Sequence, residues 1–174
     1  MNKQIEDIAK IERYIQKSDF VNDCMNKIEH LEAEIIKIND REKKHTGKEI
    51  ICVMSHRIKT AQSIYNKLIK KGYIPVKKNI IKLKDIIGIR VVCSSLEDVY
   101  RLSDEIKNIE DIIILKEKDY IKKPKKSGYK SLHLIVRMPY YKKKSCVEIQ
   151  IRTAAMDYFA IIDHDTRYKK KYKV

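Results

Sequence analysis

Ile86-Ile87-Gly88-Ile89-Arg90-Val91-Val92-Cys93 is nearly all β-branched or apolar. That composition favours extended backbone and predicts a strand buried inside a sheet. Gly88 within it marks a place where a ligand or another backbone approaches closely. Upstream, Ile50-Ile51-Cys52-Val53-Met54 predicts a first strand running on toward Ile58. Between these strands Thr60 reads as the N-cap of a helix reaching Lys71, with Gly72 as the residue that ends it and Pro75 barring continuation. Downstream, Ser94 or Ser95 caps a helix to about Asn108, with Glu97 and Asp98 in the first turn, where the helix dipole favours acids.

The rest of the chain completes the pattern. Residues 112–115 open another strand, and 120–128, with four lysines, Pro124 and Gly128, must be an exposed loop. Residues 130–138 and 146–152 alternate as strands, joined by a turn of lysines and tyrosines, and a last helix runs from about 154 to 168. Residues 3–38 carry two helical stripes: Ile5, Ile8, Ile11, Ile15, then Val21, Cys24, Ile28, Leu31, Ile35, Ile38. Ser18-Asp19 could cap the second helix, and polar 39–49 with Gly47 reads as a linker. The expected fold class is α+β: a mixed, roughly five-stranded sheet flanked by helices, with an N-terminal helical pair. Residues 1–49 are expected to form the helices and linker, and 50–174 one globular unit.

The chain has 174 residues, 43% of them hydrophobic, enough for one real core. Against 24 Asp+Glu stand 39 Lys+Arg, a formal charge of +15 that implies a polyanionic partner: RNA, DNA, an anionic membrane or phosphorylated metabolites. No run of eighteen apolar residues exists to span a membrane, and the acidic N-terminus lacks a secretory core. Cys24, Cys52, Cys93 and Cys146 stand apart, with no Cys-x-x-Cys, so neither structural zinc nor a disulfide framework is expected. Each cysteine reads as a small core side chain, and the protein as soluble, reduced and cytoplasmic.

Val147-Glu148-Ile149-Gln150-Ile151-Arg152 places Glu148, Gln150 and Arg152 on one strand face. Such a row suits a substrate surface, though a solvated outer face of an antiparallel strand would show the same pattern. Leu132, Leu134 and Val136 alternate with Ser131, His133 and Arg137, so His133 joins the row if these strands pair. Asp85, at the mouth of the buried strand, needs a partner, which could be a basic side chain or Mg²⁺. Ser63 and Lys67 share a helical face below Thr60, at a helix N-terminus able to bind phosphate; an ordinary capped surface helix would also carry them. The loop Lys122-Lys123-Pro124-Lys125-Lys126-Ser127-Gly128-Tyr129 combines cations with a ring on which a base can stack, and would equally suit RNA. Asp163-His164-Asp165 falls in a helical pattern, where residues two apart diverge, so no metal pair is expected there.

Taken in order, Arg57-Ile58-Lys59…Ser63-Ile64…Lys67-Leu68, Asp85-Ile86-Ile87-Gly88-Ile89-Arg90, the stretch from Asp119 through Lys122-Lys123-Pro124-Lys125-Lys126-Ser127-Gly128-Tyr129 to His133, and Val147-Glu148-Ile149-Gln150-Ile151-Arg152-Thr153 resemble the synthetase domain of the RelA/SpoT family, specifically the small alarmone synthetases. The resemblance runs from about 50 to 170; the N-terminal helices match only in character. It implies a nucleotidyltransferase-like domain over 50–174 that moves pyrophosphate from ATP to the 3′-OH of GTP or GDP, making (p)ppGpp and AMP. It further implies Asp85 and Glu148 as the Mg²⁺ ligands, with Glu148 activating the 3′-OH. Arg57 and Arg90 would sandwich adenine, and Lys59, Ser63 and Lys67 would hold the ATP phosphates. Tyr129 would stack on guanine, with Lys125, His133 and Gln150 lining the acceptor site.

Ser127 stands where many relatives have Asn, and Asp163-His164 where Glu-His is usual. The chain stops at Val174, where small alarmone synthetases continue into helices that help build a tetramer, which leaves a homo-oligomer in doubt. No His-Asp hydrolase segment precedes the synthetase motifs, so product hydrolysis is not expected. A basic RNA-binding protein without catalysis, or a different nucleotidyltransferase-like enzyme, are the alternatives. The lysines at 142–144 and 169–173 have no assigned role.

Overall fold

The computed structural model describes residues 2–141 and 146–171, with side chains up to 163. The lysines at 142–144 and the side chains of those at 169–173 lie outside this description. The elements run α1 (Lys3–Ile15), α2 (Ser18–Thr46), β1 (Ile51–Ile58), α3 (Ala61–Lys70), α4 (Lys77–Ile80), β2 (Ile87–Cys93), α5 (Leu96–Lys107), β3 (Ile113–Asp119), β4 (Leu132–Arg137), β5 (Val147–Thr153) and α6 (Ala154–Lys171). The five strands form one mixed sheet in the order β1-β2-β5-β4-β3. Among the described residues only β2 and β5 pair in parallel; the other three pairings are antiparallel.

Side-chain alternation gives this sheet two unlike faces. Ile87, Ile89 and Val91 of β2, Leu132, Leu134 and Val136 of β4, and Val147, Ile149 and Ile151 of β5 are fully buried or nearly so. They join one core with Cys24, Ile28, Leu31 and Ile35 of α2, Ala61, Ile64 and Leu68 of α3, and Val99, Leu102 and Ile106 of α5. The opposite face is not covered in the same way. Gly88 and Arg90 of β2 are half-buried there, so β2 is not the doubly buried strand its composition suggested.

Local chemistry sets the helix ends. Thr60 Oγ1 accepts the Ser63 N–H, and at the far end of α3 the Tyr73 and Gly72 N–H groups reach the Leu68 and Ile69 carbonyls. That paired arrangement needs a left-handed residue, which Gly72 supplies at φ 69°. Ser95 caps α5 by accepting the Asp98 N–H.

Four expectations fail on tertiary grounds. The presumed linker 39–49 is mostly helix: α2 continues through Thr46 and stops at left-handed Gly47. Several of its polar residues are engaged in tertiary contacts. The Asn39 side chain accepts from the Ile50 and Ile51 amides, Arg41 pairs with Glu105, and Glu42 pairs with Arg101. Ser18 is the first helical residue, not the cap; Lys17 holds the cap position without a side-chain bond. The single turn α4 follows Pro75, where no helix was expected. Cys52 is exposed, because it falls at a register shift on edge strand β1, while Cys24, Cys93 and Cys146 are buried as expected. Among the described residues no helix is long and apolar enough to cross a membrane.

Ile149 is fully buried on the sheet's core face, opposite Ile89 on one side and Leu134 on the other. Replacing Ile149 with Ala should lower unfolding free energy by about 2–5 kcal/mol in urea titration. Ile36, 48% exposed on α2, should give a change within about 0.5 kcal/mol for the same substitution.

Candidate active site

A cavity of about 850 Å³ opens on the face of the sheet away from the core. Strand register builds its floor. Ser55, Arg90, Gln150, His133 and Lys118 stand opposite one another across all five strands. The next row carries Arg57, Gly88, Glu148, Ile135 and Lys116. The β4–β5 pairing is therefore present, and it sets His133 opposite Gln150 on the face that Glu148 and Arg152 share.

Asp85 lines the cavity just before β2, three residues from the Gly88 that stands opposite Glu148. Its Oδ2 accepts from Lys59 Nζ at 2.7 Å and Lys67 Nζ at 2.9 Å. Burial alone would raise its pKa, but the two ammonium groups hold the carboxyl below its ordinary range. Of the two partners that Asp85 could have had, the basic one is seen, and it is double. Lys67 and Asp85 line the cavity, Lys59 stands behind Asp85, and Ser63 lies off the cavity wall with its hydroxyl 3.0 Å from that of Thr60.

Across β5 and β4 a chain of hydrogen bonds joins Tyr129, His133, Glu148 and Gln150. Tyr129 Oη lies 2.9 Å from His133 Nε2, and His133 Nδ1 lies 3.2 Å from Glu148 Oε1. Gln150 Nε2 donates to Glu148 Oε2 at 2.8 Å. Burial would lift the Glu148 pKa, yet His133, Gln150 and the Lys118 ammonium hold it down to about 2. Burial also pushes His133 below its ordinary 6.5, against the pull of Glu148. An ionised carboxylate can only accept, so neutral His133 donates through Nδ1 and accepts the Tyr129 hydroxyl proton at Nε2.

The loop before β4 delivers Tyr129. Asp119 Oδ1 accepts the Ile121 and Lys122 amides, and Gly128 turns the chain at φ 85°, a left-handed conformation suited to glycine. A Cβ on Gly128 would also come 3.3 Å from the Phe159 ring. Lys125 Nζ lies 4.3 Å from the Tyr129 ring centre and 4.6 Å from that of Tyr120.

Arg57, Lys67, Asp85, Arg90, Lys125, Tyr129, His133, Glu148 and Gln150 thus share one cavity. Lys118, Tyr120, Arg152 and Asp163 also line it without having been assigned there, and Asp157 bonds two of its arginines. Strand alternation after Glu148 pointed to Arg152; a single Asp157 in a helix gave no signal. Among the described residues no group of three or more His, Cys, Asp or Glu could hold a metal. Asp85 and Glu148 are two hard oxygen donors lining one cavity, a set that suits a divalent cation completing its shell with phosphate and water.

Residues 56–173 match the region found in RelA / SpoT proteins. The GTP pyrophosphokinase YwaC of Bacillus subtilis is 45% identical over 121 residues, 65% of this chain and 56% of its own length. YjbM of the same organism, also a GTP pyrophosphokinase, is 37% identical over 117 residues, 65% and 54% respectively. The chain thus spans a little over half the length of these curated relatives. The crystal structure of small alarmone synthetase 1 from B. subtilis bound to its product pppGpp superposes with a TM-score of 0.79 at 28% identity, covering 95% of this chain and 84% of that one. A GTP pyrophosphokinase family protein from Streptococcus pneumoniae gives 0.79 at 29% identity, over 90% and 78%. With more than half its length in the matched region and the same α+β sheet carrying the cavity, the chain belongs to the RelA/SpoT family.

Proposed function

We propose that the protein transfers the pyrophosphate of ATP to the 3′-OH of GTP or GDP, yielding (p)ppGpp and AMP, and does so in the cytoplasm. The catalytic part is residues 50–174, with 1–49 as supporting helices. One observation carries this reading: a single cavity holds both a carboxylate between two lysines and an ionised glutamate that hydrogen bonds link through His133 to Tyr129. Two polyanionic substrates meeting in one cleft need that distribution of cations.

Each residue then has a task. Arg57 and Arg90, on neighbouring strands, offer planar guanidinium faces for adenine. Lys59 and Lys67, now on Asp85, turn to the ATP phosphates, and Ser63 adds a hydroxyl at the head of α3. Asp85 and Glu148 would hold Mg²⁺, which would supply charge neutralisation on the transferred phosphates. Tyr129 stacks on guanine, Lys125 meets acceptor phosphate, and His133 and Gln150 fix Glu148 for the proton of the 3′-OH. Held as low as in the free protein, Glu148 is a weak base. Phosphates that draw Lys118 from its place 3.9 Å away remove one cause and raise its basicity. Catalysis otherwise rests on positioning, as in other phosphoryl transfers. RNA binding alone gives no reason for two carboxylates in the basic cleft, where they would repel a phosphate backbone.

Nucleotide chromatography after incubation with ATP, Mg²⁺ and each guanine nucleotide in turn should show AMP only when an acceptor is present. Glu148→Gln and Asp85→Asn should each slow that release about 100-fold or more; undiminished release would overturn the assignment. The pH profile follows from His133. The ring must be neutral to accept the Tyr129 hydroxyl at Nε2 and leave Glu148 its basicity, so kcat/KM should hold at neutral pH and fall on acidification below 6.5. A limb centred above about pH 7 would assign the titration to another group.

A further inference from the structure

Arg90 and the residues of the proposed acceptor site are joined through Asp157. Asp157, in the first turn of α6, takes two arginines on one carboxylate oxygen: Arg90 NH1 at 3.2 Å and Arg152 NH1 at 3.4 Å from Oδ1. Arg152 in turn donates through its other arm to Gln150 Oε1, and Gln150 holds Glu148. With His133 and Tyr129 beyond, an unbroken run of polar contacts leads from Arg90 to the proposed acceptor platform.

The two arginines hold Asp157 on unequal terms. The Arg90 side chain is 42% exposed and can do without the pairing at small cost. The Arg152 side chain is 5% exposed, and its Nε has no hydrogen-bond partner among the described residues. Deprived of Asp157 it would be a buried, poorly compensated charge. Arg152 also lies against the acceptor side, its guanidinium carbon 5.8 Å from the centre of the Tyr129 ring.

From this asymmetry we infer that Asp157 is a positioning residue that couples the two nucleotide sites. The inference rests on the reading of Arg90 as part of the donor site and of Tyr129 and Glu148 as the acceptor site. A donor base stacking on Arg90 draws that guanidinium off the shared oxygen. The undivided carboxylate then falls to Arg152, whose other arm holds Gln150, and through it Glu148, in the geometry an acceptor hydroxyl needs. Donor binding therefore prepares the acceptor site, and by linkage the acceptor tightens the donor by the same factor.

Calorimetric titration of the whole chain with α,β-methylene ATP and with GDP, each alone and with the other saturating, measures that factor. In the wild type each nucleotide should tighten the other at least about 5-fold, the lower end of ordinary coupling. Asp157→Asn should bring the ratio close to one while both nucleotides still bind, and Asp157→Glu should restore part of it. Gln150→Met, which leaves both arginine contacts to Asp157 in place, should also abolish the ratio without changing the affinity for the ATP analogue alone. A wild-type ratio of one, or a ratio that survives Asp157→Asn or Gln150→Met, overturns the coupling. Wild-type protein that releases no AMP from ATP with any guanine nucleotide overturns the proposed function instead, so the two failures are told apart.

Discussion

The register between β2 and β5 is the constraint on which the site depends. These strands pair in parallel, and their pairing sets Gly88 beside Glu148, Arg90 beside Gln150 and Val92 beside Arg152. A one-residue slip of β5 would turn Val147, Ile149 and Ile151 out of the core and turn Glu148 and Gln150 into it. The aliphatic face therefore fixes the polar face. Packing α2, α3 and α5 against one side of the sheet is also what aligns an arginine, an amide, an imidazole and a lysine across the other.

Electrostatic balance is the second theme. A formal charge of +15 would leave a cleft of bare cations self-repelling, and the structure answers with carboxylates placed between them. Asp85 sits between Lys59 and Lys67, and Asp157 between Arg90 and Arg152, while Glu148 lies near His133 and Lys118. Each of these acids orders basic groups that a polyanionic substrate would otherwise have to order at its own entropic cost. The same acids keep those groups poised rather than spent, because a phosphate or base can displace a partly exposed partner with little loss.

Much of this was legible from the chain. Thr60, Gly72 and Ser95 announced helix ends through chemistry that acts within a few residues, and the alternation of β4 and β5 named both faces. Failures occurred where distant contacts overrode local signals. Polar 39–46 resembles a linker until Asn39 meets the amides at the start of β1 and Arg41 and Glu42 meet α5. Cys52 resembles its buried counterparts until an edge-strand irregularity turns it outward. Asp157 is one acid among many in the sequence, and only the fold brings it to two arginines from different strands.

The sequence by itself determined the α+β class, the strands and most helix ends, and the motif residues that resemble the RelA/SpoT synthetases. Those properties follow from periodicity, capping and spacing, which are local. Tertiary structure alone decided that Lys59 and Lys67 share Asp85, that His133 bridges Tyr129 and Glu148, and that Asp157 joins the two sides of the cavity. Hydrogen bonds and ion pairs depend on ångström distances between groups remote in the chain, and only strand register and helix packing set those distances.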